Sequence, residues 1–300
     1  MKKPSIVSQS LVKMLFKKWN ELPDDMICYR KIYAQYVLGL KTKSTLPNLK
    51  GLLFEDLCCD TNNNNVILPK HNKSGKKLVD ELRIEQQAHI FKEWVRSVNG
   101  TVNETNSQIT IFKYWDKDPN VILSGKLDVF PFLHYDINTG EFIVSILDLK
   151  YTGDITSTFG KFPWGEPERI DHLQAIWYLY LVMNIDYKLN DSLNPGNLLK
   201  EFTNNPKIRH ILDSGNCTFK YYVADSKSNF SSDVFIYTLK PDDFAQLFEV
   251  IRKTINLLRT ANENEWPANP TSLNCLGNAK DGIYPCPFIN CSYRKKEREI

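Results

Sequence analysis

The sequence predicts an α/β fold in which a mixed central sheet is flanked by helices, with helical additions at both ends. The chain of 300 residues is 42% hydrophobic and 12% aromatic, which supplies enough apolar surface for a sizeable core. Three consecutive segments with the pattern of β-strands occupy residues 108–151. Segments with helical spacing of apolar residues precede and follow them, as a layered α/β domain requires.

The elements before these strands are predicted from apolar spacing and from breaker residues. Residues 8–40 are mostly helical by pattern, and residues 48–59 and 78–98 each have the spacing of one helix. Residues 60–77 are rich in Asn and Lys and contain proline and glycine, so we expect a loop between those two helices.

The elements after these strands alternate between helix and strand. A long helix is predicted to begin at Pro167, because proline suits the first turn of a helix. The segment from Pro267 onward is irregular and rich in Cys, Pro and Gly. No linker is evident, so we expect one domain over residues 1–300 with its core at about 46–240. The predicted elements are helices at 167–185, 195–212 and 241–261 and strands at 219–224 and 234–239.

Composition also excludes several classes of protein. No apolar run approaches the roughly 18 residues that cross a bilayer, and the first residues lack the apolar stretch of a secretory signal. The seven cysteines are an odd number, which argues against a disulfide framework. The net charge of +3 is too small to indicate a nucleic-acid partner by itself. We therefore expect a cytoplasmic protein without a membrane partner.

A hairpin of two apolar strands carries an unusual pair of acids. Residues 136–140 (DINTG) form a turn by composition, and if Tyr135 pairs with Glu141, Asp128 lies directly opposite Asp148. Directly opposed residues have Cβ atoms roughly 4.5–5.5 Å apart, and like charges there are destabilising. Burial of such apolar strands makes the repulsion worse. The pair therefore predicts a cation between the two carboxylates.

A divalent ion, Mg²⁺ or Mn²⁺, is the natural candidate for that cation. Mg²⁺ binds proteins through one or two carboxylates and keeps waters and substrate phosphate as its other ligands. Because side chains alternate along a strand, Lys150 points to the same face as Asp148, where it can position a water and offset phosphate charge. The alternative is a solvent-facing hairpin with scattered charges, since Asp-Leu-Lys alone is a weak motif.

Around these residues the sequence resembles the PD-(D/E)XK nuclease superfamily. SGKLDVF and, after the turn, ILDLKYTG resemble the paired motifs of that family. The resemblance implies that Asp128 and Asp148 are metal ligands and that Lys150 is the catalytic lysine. GLLFEDL resembles the upstream helix whose acidic residue completes the site, and Glu55 is the matching position. Many RecB-like members carry a histidine in that region, whereas some phage-type exonucleases carry an acid, as here.

A further motif resembles the RecB-like branch of the superfamily. In DHLQAIWYLYLVM, Gln174 and Tyr178 are four residues apart and project from one helix face. They resemble the Q-x-x-x-Y signature, whose residues help to hold DNA and the region of the active-site lysine. An ordinary core tyrosine is the alternative reading. The order of Glu, Asp, Asp-x-Lys and Gln-x-x-x-Tyr over residues 51–178 makes the match more specific than any one motif.

The resemblance implies a restriction-endonuclease-like core and a metal-dependent deoxyribonuclease, with exonuclease activity expected. The carbonyl oxygen of Leu149 would be a further ligand of the metal. DNA recombination, repair and replication all use such domains, in the cytoplasm, or in the host cytoplasm for a phage protein. The chain has no G-x-x-x-x-G-K motif, so a helicase or recombination protein would be a separate partner.

Four cysteines resemble those of iron–sulfur nucleases of the same branch. One early and three late cysteines would hold a [4Fe–4S] cluster that joins the segment 1–45 to the tail 265–300. Three readings stay open: a cluster, no metal, and zinc, since zinc also accepts four thiolates. The spacing of the late cysteines is wider than the expected pattern. The four residues are Cys28, Cys275, Cys286 and Cys291.

Two other functions stay open beside the nuclease. One is a catalytically inactive nucleic-acid-binding protein on the same fold. This chain argues against it, because inactive relatives normally lose an acid or the lysine. The other is an unrelated α/β protein whose metal site serves a different hydrolysis.

Overall fold

The computed structural model describes most of the chain in ten segments and five separate residues. These are 5–15, 28–41, 46–61, 66–68, 80–136, 140–158, 163–194, 205–214, 216–226 and 231–260, with Trp266, Cys275, Cys286, Phe288 and Cys291. Within this part of the chain, no helix is both long enough and apolar enough to cross a membrane.

Six strands and eight α-helices are described. The strands are β1 Ser5–Ser8, β2 Ser107–Trp115, β3 Asp118–Asp136, β4 Glu141–Thr152, β5 Thr218–Asp225 and β6 Ser232–Tyr237. The helices are α1 Gln9–Leu15, α2 Tyr29–Ile32, α3 Leu46–Cys58, α4 Asp80–Ser97, α5 Leu173–Val182, α6 Tyr187–Leu193, α7 Pro206–Asp213 and α8 Asp243–Thr260. A π-helical turn, Tyr33–Val37, follows α2, and a 3₁₀ turn, Pro167–Arg169, precedes α5.

The strands form one mixed sheet in the order β1-β3-β4-β5-β6, with β2 also paired to β3. β1 runs parallel to β3 and β4 runs parallel to β5, whereas the other pairs are antiparallel. The predicted α/β class and the mixed sheet flanked by helices are confirmed.

β3 is long enough to have two successive neighbours on one edge. β1 pairs with residues 121–124, and β4 pairs with residues 129–136. β2 lies along the other edge, where it pairs with β3 from residue 118 to residue 129. Residues 125–128 therefore have no described strand beside them on the edge shared by β1 and β4.

Helices cover both faces of the sheet. On one face α1, α5, α7 and α8 contribute to a core that includes the fully buried Leu173, Leu181 and Leu247. On the other face α3 and α4 pack through Phe54 and Phe91 against the sheet. A smaller cluster joins the N-terminal helices to the C-terminal region: Leu11, Leu15, Ile32 and Trp266.

Most of the predicted elements are confirmed. The helices expected at 48–59, 78–98 and 241–261 are α3, α4 and α8, and the five expected strands are β2 to β6. The expected loop at 60–77 and the irregular tail lie largely outside the described residues.

Three elements differ from the prediction. β1 precedes the region 8–40 that was predicted to be mostly helical and overlaps it only at Ser8, and its four residues, SIVS, are too few to show alternation. The helix expected from Pro167 begins only at Leu173, because the 3₁₀ turn precedes it and Asp171 Oδ1 accepts the Leu173 N–H at 2.9 Å. α6 was not predicted. It begins where the Asp186 side chain accepts the Leu189 N–H at 2.9 Å, a typical N-cap.

Candidate functional site

β3 and β4 separate at a fork, and the candidate site lies at its mouth. Their ladder ends at the pair Val129–Leu147, after which β4 continues beside β5 alone. Asp128 and Asp148 follow directly on the two arms. The carboxylate of Asp128 reaches across, and its Oδ2 accepts the backbone N–H of Leu149 at 2.8 Å. At the fork, the backbone N–H of Leu149 therefore donates to the carboxylate of Asp128 and not to the backbone of β3.

A β-bulge brings the two aspartates to the fork. The expected pair Tyr135–Glu141 is wrong, because Glu141 pairs with Asp136 and the whole turn end of the ladder is shifted by one residue. The register changes between Val129 and Phe132, where two residues of β3 oppose one of β4. One of those two is Pro131, which has no N–H to donate to a ladder and is therefore tolerated at a bulge. On the fork side of the bulge, β3 and β4 have the register of the pair Val129–Leu147, which Asp128 and Asp148 directly follow.

Asp148 is held by two neighbours that differ in charge. Its side chain is only 1% exposed. Gln174 Nε2 donates to Asp148 Oδ1 at 2.7 Å, and the ammonium of Lys150 forms an ion pair with Asp148 Oδ2. Lys150 Nζ also lies 3.4 Å from the carbonyl oxygen of Leu149. Alternation along β4 thus places Asp148 and Lys150 on one face, as the sequence predicts.

α5 carries Gln174 and Tyr178 to the site across β3. The approach is close, since a Cβ atom at Gly125 would lie 2.7 Å from the Tyr178 ring. Trp177 Nε1 donates to the carbonyl oxygen of Ser124 at 3.1 Å. The Tyr178 hydroxyl bonds to the Gln174 side chain, and burial raises its pKa well above the ordinary value. The two motif residues therefore act as a linked pair behind Asp148.

α3 supplies Glu55 from the opposite layer. Phe54 is fully buried, which fixes the helix against the sheet. Beyond the helix end, Cys59 Sγ lies 3.9 Å from the carbonyl oxygen of Asp128. The carboxylate of Glu55 is contacted by Gln108, whose Nε2 lies 3.5 Å from Glu55 Oε2.

The three carboxyl groups repel one another in a poorly solvated place. Burial, followed by repulsion from Glu55 and Asp148, raises the pKa of Asp128 well above its usual range. Burial, opposed by Lys150 and reinforced by Asp148, raises the pKa of Glu55 to about 7. Burial alone would lower the pKa of Lys150, but Asp148 and Asp128 outweigh it and raise that pKa. The pKa values of Asp128 and Glu55 stay raised in spite of the lysine charges, so a further cation would relieve the repulsion.

The donor atoms fit a hard divalent cation. Asp128, Asp148 and Glu55 offer carboxylate oxygens, and the Leu149 carbonyl oxygen, 3.4 Å from Lys150 Nζ, is a further oxygen donor beside them. Within the described residues, no three His, Cys, Asp or Glu side chains already converge in metal-binding geometry. Mg²⁺ does not require this, because it typically takes one or two carboxylates and keeps several waters.

Three of the four cysteines predicted to hold a cluster, Cys28, Cys275 and Cys286, lie close enough to influence one another. All seven cysteines are described, and none forms a disulfide. Burial raises the pKa of Cys286, and the nearby thiols of Cys28 and Cys275 add to the rise. The amide of Cys286 donates to the Cys275 carbonyl at 3.0 Å, and that of Cys291 donates to Phe288. These side chains do not form a four-thiolate set here, so the cluster, zinc and no-metal readings stay predictions.

Two residues at the site were missed by sequence reasoning. Gln108 contacts Glu55, and its backbone has a positive φ of 56° that no sequence pattern announces. Lys126 is exposed, and its charge lowers the pKa of Glu55 in opposition to burial. Lys126 could have been considered, since it lies only two residues before Asp128 on the same strand.

Comparison with known proteins adds a likeness to solved structures. No family model and no curated protein matches the sequence. A crystal structure from Eubacterium rectale, of a protein named "Putative exonuclease", aligns with a TM-score of 0.47 at 12% identity, covering 87% of this chain and 82% of that one. A likeness at this level supports no functional argument, so the case for function depends on the site itself.

Proposed function

We propose that the protein is a metal-dependent deoxyribonuclease of the PD-(D/E)XK type, RecB-like branch. One observation carries the proposal: side chains from four separate elements lie at or beside the fork, and their order along the chain is the one that the resemblance to the nuclease motifs implies. They are Glu55 of α3, Asp128 of β3, Asp148 and Lys150 of β4, and Gln174 of α5.

The proposed roles follow from the contacts of each side chain. Asp128 and Asp148, with Glu55 and the Leu149 carbonyl, would hold Mg²⁺ or Mn²⁺. A bound ion of this kind lowers the pKa of a water and neutralises charge that develops on an attacked phosphate. Gln174 keeps Asp148 Oδ1 in a fixed direction. Lys150, held beside Asp148, would orient the attacking water and offset phosphate charge.

The finer parts of the proposal concern substrate and setting. DNA is the proposed partner, and exonuclease action in recombination, repair or replication is the proposed use. An iron–sulfur cluster on Cys28, Cys275, Cys286 and Cys291 is a separate proposal. Iron and sulfide analysis of anaerobically purified protein tests it without reference to cleavage.

The proposed function is tested with two substitutions at the fork. Asp148→Asn and Lys150→Ala are expected to reduce cleavage of labelled DNA by at least about 100-fold. The first removes a ligand of the ion, and the second removes the ammonium that offsets phosphate charge. Cleavage is measured on single- and double-stranded DNA with Mg²⁺, Mn²⁺ or EDTA, using blocked and free ends to separate exonuclease from endonuclease action.

The matched controls lie at the far end of the same sheet. Asp118→Asn and Lys117→Ala make the same changes of charge next to the β2–β3 turn, and both should cleave like the wild type. Circular dichroism checks that every variant is folded. Full activity of a folded Asp148→Asn protein would refute the proposal, as would cleavage that EDTA does not stop.

A further inference from the structure

Gln108 occupies an unusual place in the sheet, directly across from Asp128. The ladder pairs Ser107 with Val129 and Ile109 with Leu127, so Gln108 is the β2 residue between those two pairs. Asp128 thus has Gln108 beside it on β2 and Asp148 beside it across the fork.

The backbone of Gln108 is in the left-handed region, with φ 56°. A side chain with a Cβ atom is disfavoured there, and such conformations persist only where the surrounding structure fixes them. Both flanks are fixed here. Ile109 is paired to Leu127, and the Asn106 carbonyl accepts the Phe130 N–H at 2.7 Å. The Asn106 side chain also donates to the Pro131 carbonyl at 3.1 Å, at the bulge.

This conformation turns a strand residue toward the helix layer. The Gln108 side chain is half-buried, and its amide nitrogen reaches Glu55 Oε2 at 3.5 Å. An amide donor is the suitable neighbour for a carboxylate that also feels the negative charges of Asp128 and Asp148. Gln108 therefore links Glu55 on α3 to β2, the strand that runs beside Asp128 of β3.

We propose that Gln108 is a positioning residue that fixes the direction of the Glu55 carboxylate toward the cation site at the fork. The inference rests on the proposed function, because it assumes that Glu55 helps to hold the divalent ion. The competing explanation is that Gln108 merely occupies a bend in β2. Glycine adopts positive φ without steric strain, so it should replace Gln108 in function if only the bend matters.

The experiment compares two substitutions at this position with one control. Gln108→Gly keeps the bend and removes the amide, and Gln108→Met keeps the size and shape of the side chain and removes the amide. Asn99→Gly is the control, since Asn99 also has a positive φ, of 50°, and lies in an exposed turn after α4. Mn²⁺ affinity is measured by titration calorimetry, thermal stability by circular dichroism, and DNA cleavage by kcat and KM.

The expected result is a selective loss of metal binding. Both Gln108 variants should bind Mn²⁺ about 10- to 100-fold more weakly, as is usual when the partner of a ligand is removed. Their kcat at limiting Mn²⁺ should fall while KM for DNA stays unchanged. The melting temperature of Gln108→Gly should not fall below that of the wild type, and Asn99→Gly should match the wild type in all measurements.

Each remaining outcome decides the matter. If Gln108→Gly binds Mn²⁺ and cleaves DNA like the wild type, Gln108 only shapes the bend and the inference is wrong, while the proposed function stands. If Gln108→Gly does not fold, Gln108→Met decides by the same criteria. If the wild type neither binds Mn²⁺ nor cleaves DNA, the proposed function fails and the inference fails with it.

Discussion

Burial and neighbouring charges raise the pKa of the Glu55 carboxyl group, and this should make the stability of the protein depend on pH. Its pKa is raised from 4.5 to about 7, first by burial and then by Asp148, against the opposing effect of Lys150. An acid with a raised pKa holds its proton more tightly when folded than when unfolded. Its ionisation therefore costs stability, and this cost grows as pH rises through the interval between the two values.

The metal-free protein should consequently lose stability as pH rises from about 4.5 to about 7. Glu55→Gln, which cannot ionise, should flatten this decline. Urea unfolding in EDTA at several pH values measures the effect. Asp118→Asn is the control, because hydrogen bonds hold the pKa of Asp118 below its ordinary value and outside this interval. An unchanged decline in Glu55→Gln would show that other groups cause it.

The candidate residues were accessible to sequence reasoning to different degrees. Alternation along β4 is enough to place Asp148 and Lys150 together. The facing of Asp128 and Asp148 was inferred from a register that is wrong at the turn. The bulge at Pro131 adds the missing offset, so the two aspartates directly follow the last pair, Val129–Leu147, although the strands separate there. Gln108 could not be found, because its conformation depends on contacts with strands distant in sequence.

At the scale of elements, the contact between α5 and β3 controls the position of Gln174. A Cβ atom at Gly125 would lie 2.7 Å from the Tyr178 ring and 2.8 Å from Leu181 Cδ1. Both neighbours are buried and cannot retreat into solvent. Glycine at this position is therefore what allows α5 to reach the site.

Gly125→Ala should displace α5 and destabilise the protein by about 1–3 kcal/mol, the usual cost of overpacking. Cleavage at a temperature where the variant is folded should fall as well, because Gln174 moves with the helix. Gly51→Ala in α3 is the matched control. Its Cβ would meet nothing within 4 Å, so helix propensity should make it neutral or stabilising by up to about 1 kcal/mol. Equal stability of the two variants would contradict the close packing.

Helix boundaries were predictable where local signals dominate and wrong where tertiary contacts do. α8 has apolar residues on one face and was predicted closely. α5 is buried all round, so its sequence contains no period that marks its start. β1 is a strand because residues 121–124 of β3 pair with it as a parallel neighbour. Such partners are not visible in the local sequence.

At the scale of the whole molecule, the repulsion among the acids makes folding responsive to divalent ions. An ion that binds only the folded state stabilises it by about 2.7 kcal/mol at a concentration 100 times its Kd. The melting temperature should therefore rise with Mg²⁺ or Mn²⁺, and should rise less in Asp148→Asn, which has lost a ligand. Sodium at matched ionic strength separates specific binding from screening. An equal rise in Asp148→Asn would place the bound ion elsewhere.

The bulge at Pro131 also divides the β3–β4 hairpin into two parts that differ in strand register. Beyond Phe132 the strands follow one alignment, and toward the fork they follow another. A foreign hairpin tip grafted beyond Phe132 would leave the acid pair aligned, provided that the graft keeps the two-against-one step. Deleting either Phe130 or Pro131 would shift one part of β3 by one residue relative to the other. The side chains of the shifted part would then point to the opposite face of the sheet. The sequence of the hairpin tip can therefore be changed in engineered variants, whereas the two-against-one bulge has to be kept.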